Sequence, residues 1–152
     1  MGTQAEIERP LQLNAWGYDE NDMAMVAESL TEDAQLIFVP DELVEDPAVL
    51  GGERRTVGRE AILAQLAASR ADFDARGERP RHVITNILVE RVSADEADVR
   101  CFYLFCVQSA DGLQIRGLSR YYDHLVNAGG AWRIQTRRNT VAHVGSRAAA
   151  TD

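Results

Sequence analysis

Arg81-His82-Val83-Ile84-Thr85-Asn86-Ile87-Leu88-Val89-Glu90 decides how this chain is built. It is rich in β-branched residues and opens the part of the chain with a period of two, the pattern of a strand. Up to Pro80 the apolar residues recur mainly at helical spacing; beyond it the period of two persists. Strands are predicted at about 82–92, 97–109, 113–126 and 132–143. Ser93 to Glu96, Asp111-Gly112 and Asn127 to Gly130 have the composition of hairpin turns. Helices first and a four-strand meander afterwards predict an α+β domain.

Working upstream, Thr3 is placed to cap a helix, with Glu6 as its capping-box partner. Ile7, Leu11, Ala15 and Tyr18 follow at helical spacing, and Pro10 bends that helix or delays its start. Asn21 is the expected cap of a second helix that turns Met23, Val26, Ala27 and Leu30 inward. A strand at 34–39 comes next. Residues 40–57 form a long acidic and then basic loop with Gly51-Gly52, the length of a lid or binding loop. The longest helix is expected at 58–76, with Ile62, Leu63, Leu66, Ala67 and Phe73 as its stripe. One domain over 1–145 and a loose tail at 146–152 account for the chain. A long twisted sheet with helices on one face encloses a pocket.

Composition narrows the chemistry. The 152 residues suffice for one domain with one core. A formal net charge of -8 argues against nucleic acid and gives no reason to expect an anionic membrane surface. All 16 basic residues are arginine, which excludes a Schiff-base lysine. The histidines are His82, His124 and His143; none stands in a metal-binding motif, so neither metal nor cofactor is expected. Cys101 and Cys106, five apart on one strand, face opposite sides at roughly 16 Å and cannot bridge. Met1 to Leu13 lacks the apolar run of a signal peptide. A reduced, cytoplasmic setting is expected.

Three stretches carry proton-transfer groups. Tyr18 and Asp19 end the first helix, His82 opens the first long strand, and Tyr121 lies on the third. A histidine opening a strand can be purely structural, and Asp19 can simply cap the next helix or pair with Arg81. If Asp19 faces His82, the carboxylate fixes the imidazole tautomer and favours the imidazolium. Tyr18 and Tyr121 can pack as core aromatics or donate to a carbonyl that becomes an enolate. Alternation puts Cys101, Tyr103, Phe105 and Val107 on one face and Phe102, Leu104 and Cys106 on the other. The tyrosine-bearing set is assigned to the pocket, so Tyr103 and Phe105 join Tyr121 as candidate substrate contacts. Trp16, Phe38 and Trp132 read first as core; Trp16 and Phe38 are also candidate contacts. Asp123, Arg133 and Arg137 read as a cross-strand charge ladder. Arg54-Arg55 reads as a solvated pair that can meet an anion.

These residues resemble the SnoaL-like domains of the nuclear transport factor 2-like (NTF2-like) superfamily over about Thr3 to His143. The resemblance rests on Tyr18-Asp19-Glu20-Asn21-Asp22, on Arg81-His82-Val83-Ile84-Thr85-Asn86, and on Tyr121-Tyr122-Asp123-His124-Leu125-Val126 with Gly130-Ala131-Trp132-Arg133-Ile134-Gln135-Thr136-Arg137. It implies a cone-shaped, mostly antiparallel sheet with N-terminal helices enclosing a pocket. Within the superfamily the site layout is partly similar to scytalone dehydratase, which implies catalytic roles for Tyr18, Asp19 and His82. That enzyme's second histidine has no counterpart in Phe105-Cys106-Val107-Gln108-Ser109, and its asparagine falls near Tyr121.

The function expected is a cofactor-independent dehydratase, isomerase or cyclase. His82 shuttles the proton, Asp19 orients it, and Tyr18 and Tyr121 hold the carbonyl oxygen. A hydrophobic, carbonyl-bearing substrate follows from the residues, and a polyketide-like one from the resemblance. Two other readings stand beside it: a non-catalytic small (β) subunit of a ring-hydroxylating dioxygenase, and a small-molecule-binding module. Two apolar faces on one sheet need two covers, so a homodimer is expected.

Overall fold

The computed structural model describes residues 2–41 and 52–141. The elements run α1 (Gln4–Asp19), α2 (Met23–Glu28), β1 (Leu30–Pro40), β2 (Arg54–Val57), α3 (Arg59–Ala75), β3 (Arg79–Val92), β4 (Glu96–Ser109), β5 (Gly112–Ala128) and β6 (Ala131–Val141). One six-stranded sheet has the order β2-β1-β6-β5-β4-β3. Its pairs are antiparallel except β1 with β6. The architecture is the expected α+β one, helices against a curved, mostly antiparallel sheet. Most of the candidate lid, His143 and the tail 146–152 lie outside the described residues. No helix among those described is long and apolar enough to cross a membrane.

α1 begins where its cap dictates. The Thr3 side chain accepts from the Glu6 amide, and the Glu6 carboxylate accepts from the Thr3 amide. Pro10 lies buried inside α1 and does not delay its start. Ile7, Leu11, Ala15 and Tyr18 form the buried stripe.

The turn after α1 departs from expectation. Asn21 does not cap α2; it takes a left-handed conformation (φ 59°), and Asp22 accepts from the Met25 amide at 3.0 Å instead. The cause is a close approach at Gly17, where a Cβ would lie 2.8 Å from the Asp22 carbonyl oxygen and the Val26 nitrogen. A reversal this tight needs a residue that tolerates positive φ, and asparagine is one. Leu30 then opens β1 rather than ending α2. β1 is longer than its apolar residues suggest because β6 pairs with it from Leu30 onward. β2, inside the stretch expected to be loop, pairs with β1 at Arg54 to Val57.

Bulges bend the sheet and set which residues face inward. In β3 the register shifts between Thr85 and Leu88, and Asn86 sits there at φ 52°. The asparagine of the Arg81–Asn86 motif is thus a backbone device. In β6 Ile134 pairs with Leu125, but Thr136 pairs with His124, so Gln135 is an extra residue. Trp132 and Ile134 are buried before this bulge, Arg137 and Asn139 after it. The core lies between the inner sheet face and the helices, where Leu11, Val26, Ala34, Leu125 and Ile134 are fully enclosed. The outer face exposes Val83, Phe102, Leu118 and Tyr122.

Candidate functional site

A cavity of about 460 Å³ opens between α1, α3 and the inner sheet face. Strand register sets its wall in rows. Phe38, Asn139, Tyr121 and Cys101 stand side by side across β1, β6, β5 and β4. The next rows hold Ser119 with Tyr103, and Phe105 with His82. Leu66, Ser69 and Phe73 of α3 and Tyr18 of α1 close the other side. Aromatic and aliphatic side chains share this wall with polar ones, Asn14, Gln65, Ser69, Ser119, Arg137 and Asn139 among them, which suits a small ligand with both apolar surface and polar groups.

His82 and Asp19 meet at this wall. His82 Nδ1 lies 2.7 Å from Asp19 Oδ1, and the His82 backbone N–H donates to Asp19 Oδ2 at 2.7 Å. Both side chains are nearly enclosed, 12% and 9% exposed. Asp19 also ends α1, where the helix dipole opposes a negative charge. Two charge-assisted hydrogen bonds offset that placement. An ionised carboxylate only accepts, so Nδ1 carries the proton and Nε2 is left with the lone pair. Arg81 frames the pair from outside: its guanidinium donates to the Asp19 carbonyl at 3.1 Å and pairs with Glu20 at 3.1 Å.

Aromatic rings surround the imidazole. Tyr18 meets it edge-on at 5.5 Å, and Tyr103 and Phe105 each lie 5.2 Å away. The Tyr18 hydroxyl is 2.8 Å from Ser69 Oγ. Burial raises the Tyr18 and Tyr103 pKa values, and pushes that of Tyr121 well above 10.0, so all three stay neutral phenols at ordinary pH. A neutral phenol remains a donor where an oxyanion would develop.

The floor carries a buried ion pair. Arg137 donates to both Asp123 oxygens at 2.9 and 2.7 Å and to Asn14 Oδ1 at 2.7 Å. Burial alone would lower the Arg137 pKa, but the Asp123 charge and hydrogen bonds outweigh it and raise the value. The guanidinium also lies 3.8 Å from the Tyr121 ring centre, and that ring stacks on Tyr103 at 4.3 Å. Burial, with Asp123 next, pushes the Cys101 thiol up to about 12, so it is no nucleophile.

The structure thus brings Tyr18, Asp19, His82, Tyr103 and Phe105 together, with Phe38 and Tyr121 farther along the same cavity. Trp16 is not among them. It is 64% exposed and flanks a shallow groove with Arg9, Leu13 and Met25. It follows Ala15 by one position, so the helical turn that buries Ala15 carries Trp16 outward. Asp123 and Arg137 are cross-strand partners on β5 and β6, as the charge ladder requires, but the pair is buried and its arginine lines the cavity; Arg133 is not bonded to them. Arg54 sits at the mouth, 5.4 Å from the Phe38 ring centre, while Arg55 bonds Gln35 at 3.0 Å. Ser69, which keeps the helical spacing of Leu66 and Phe73 but is polar, and Arg137 and Asn139, which strict alternation misses, are cavity residues too. Allowing for a bulge after Ile134 would have found the last two. No group of His, Cys, Asp and Glu among the described residues is arranged to hold a metal ion.

Comparison with known proteins agrees with this fold. No curated protein matches the sequence. Among solved structures, Rv3472 of Mycobacterium tuberculosis, described as of unknown function, is 26% identical with a TM-score of 0.69, over 90% of this chain and 74% of that one. A "putative scytalone dehydratase" from Novosphingobium aromaticivorans is 21% identical with a TM-score of 0.64, over 90% and 82% of the two chains. An NTF2-like protein with a cystatin-like fold from the same organism is 19% identical with a TM-score of 0.71, over 94% and 84%. The family model of the SnoaL-like domain matches residues 2–138, and the chain belongs to that family.

Proposed function

We propose that this chain is an enzyme that moves a proton on a hydrophobic, carbonyl-bearing small molecule, without a cofactor. The observation that carries the reading is the His82–Asp19 pair at the wall of an aromatic cavity. Nε2 of His82 takes a proton from the carbon beside the carbonyl. The electron pair moves onto the carbonyl oxygen, and Asp19 stabilises the imidazolium that results. The same proton then returns to a leaving hydroxyl in a dehydration, or to another carbon in an isomerisation. In a cyclisation the carbanion closes the ring before the proton is returned. The Tyr18 phenol is a neutral donor near the reacting atoms. A polyketide-like intermediate is the substrate that family membership favours.

Proton abstraction can be tested before the natural substrate is known. Wild-type protein in D2O should exchange the α-protons of a cyclic aryl ketone such as 1-indanone, followed by NMR. His82→Ala should lower that exchange about 100-fold or more while the protein stays folded. A folded variant with undiminished exchange removes His82 from the mechanism.

The outer sheet face supports a second part of the proposal, a homodimer. Val83, Leu104 and Leu118 lie in register across β3, β4 and β5, with Phe102 beside them. A contiguous apolar face of this kind marks an interface. Light scattering at micromolar concentration should give twice the chain mass. A monomer rejects the dimer, and a stable hetero-complex with an oxygenase subunit would favour the scaffold reading.

A further inference from the structure

Asn139 has no part in the mechanism above, yet it is a polar side chain 5% exposed on the cavity wall. A buried amide needs partners for its oxygen and for both N–H bonds. Its oxygen has one: the Tyr103 hydroxyl donates to Oδ1 at 2.9 Å. The direction of that bond is fixed by its acceptor. An amide oxygen only accepts, so the single phenolic proton of Tyr103 goes to Asn139. Ser119, itself buried, stands beside Tyr103 in register across β5 and β4.

The amide nitrogen is different. Among the described residues it makes no hydrogen bond to protein, and it is not one of the enclosed polar atoms left without a partner. Since the side chain lines the cavity, the two N–H bonds face its open space. Tyr103, read from the sequence as a substrate contact, uses its only proton on Asn139. The Tyr103–Asn139 pair therefore ends in an amide donor directed at the cavity.

We infer that Asn139 anchors the oxygen of a carbonyl-bearing ligand, with Tyr103 as the residue that positions the amide. His82 and Asn139 flank the same Tyr103, one beside its ring and the other at its hydroxyl. A ligand held at Asn139 thus lies along the Tyr103 ring with its body toward His82. That arrangement suits a flat cyclic ketone better than an open chain. The choice of a carbonyl as the anchored group rests on the proton-transfer reading, but the binding site does not need turnover to be detected.

Two probes of one shape test it: 1-indanone, which carries a carbonyl, and indane, which does not. Both are titrated into the full chain by NMR, and the carbonyl stretch of bound 1-indanone is read by infrared difference spectroscopy. In the wild type the ketone should bind more tightly than the hydrocarbon, with its carbonyl stretch moved to lower frequency. Asn139→Asp keeps the shape and the acceptor for Tyr103 but removes both donors. It should weaken 1-indanone about tenfold, leave indane within about twofold, and reverse the frequency shift. Tyr103→Phe should weaken 1-indanone less, about threefold, and broaden the carbonyl band because the amide is no longer held in one orientation. If Asn139→Asp unfolds the chain, Asn139→Leu combined with Tyr103→Phe provides the comparison, since it removes the amide donors without freeing the phenol.

Equal weakening of both probes, an unchanged carbonyl band, or a wild type that does not prefer the ketone each overturns the anchor. The two readings fail separately. If His82→Ala still exchanges α-protons while the Asn139 results hold, proton transfer at His82 is lost and the anchor stands. The reverse outcome removes the anchor and leaves the proton shuttle.

Discussion

The sheet carries two histidine–aspartate pairs of the same length, one on each face. His82 Nδ1 is 2.7 Å from Asp19 on the inner face, and His124 Nδ1 is 2.7 Å from Asp98 on the outer face. The inner side chains are 12% and 9% exposed, the outer ones 35% and 36%. Asp19 also binds the His82 backbone and comes from a different element, whereas Asp98 and His124 are simple register partners on β4 and β5. The outer aspartate is shared with Arg91 at 3.6 Å, in solvent. Bond length alone therefore does not mark a site. What differs is enclosure, a second fixed contact on the carboxylate, and space for a ligand beside the free ring nitrogen.

The largest difference between the faces should appear in stability. Asp123 and Arg137 are 0% and 5% exposed, so Asp123→Asn leaves a buried guanidinium without its counter-charge. The expected loss is about 3–5 kcal/mol in urea denaturation. Arg91, 82% exposed in its pair with Asp98, should cost under about 0.5 kcal/mol when replaced by Ala. Similar losses at the two positions would mean that the floor pair is hydrated and the cavity is not dry.

Chemistry should separate the faces next. Asp19→Asn keeps the shape but removes the charge that fixes the His82 tautomer. Exchange of ketone α-protons should fall about 100-fold, equivalent to about 2.7 kcal/mol of barrier. A drop of less than about threefold would mean that Asp19 holds only the backbone of His82.

Alkaline pH gives a smaller, graded test of the inner face. Burial raises the pKa values of Tyr18, Tyr103 and Tyr121 above the ordinary 10.0. Above that pH the unfolded chain releases phenolic protons that the folded chain still holds. The stability these neutral phenols contribute is complete below about pH 10 and is lost as pH rises toward their folded values. Each fully buried phenol steepens the loss by up to about 1.4 kcal/mol per pH unit. Tyr121→Phe, at the phenol that burial pushes furthest above 10.0, should make the alkaline limb of a stability–pH curve shallower. An unchanged slope would show that Tyr121 ionises as easily in the fold as out of it.

The same contrast explains what the sequence revealed. Asp19 and His82 were legible because each stands at an element end marked by its own signal. The helical stripe ends at Tyr18, and the period of two begins after Pro80. Thr3 and Glu6 set the start of α1 by local chemistry alone. Arg137 and Asn139 were hidden because one extra residue, Gln135, reverses the phase of β6. Strict alternation from Trp132 and Ile134 points Thr136 and Arg138 inward. Trp16 was misread because residue type suggested burial where helical phase did not. β2 has no pattern of its own; its pairing with β1 makes it a strand. Where neighbouring strands decide phase or existence, a single segment does not contain the information.

The smallest effect is expected at the outer pair, and it is the sharpest check on the comparison. His124 and Asp98 gain one hydrogen bond that water can replace, since both side chains are about one third exposed. Exposed pairs of this kind contribute about 0–1 kcal/mol. Neither residue lines the inner cavity: His124 is flanked in register by Asp98 and Thr136, side by side on the sheet. His124→Ala should therefore change stability by under about 0.5 kcal/mol and leave ketone proton exchange within about twofold of wild type. It should not alter 1-indanone binding. If instead His124→Ala lowers exchange as much as His82→Ala does, a 2.7 Å contact to a carboxylate would be sufficient for activity. Enclosure could then no longer be what distinguishes the two faces.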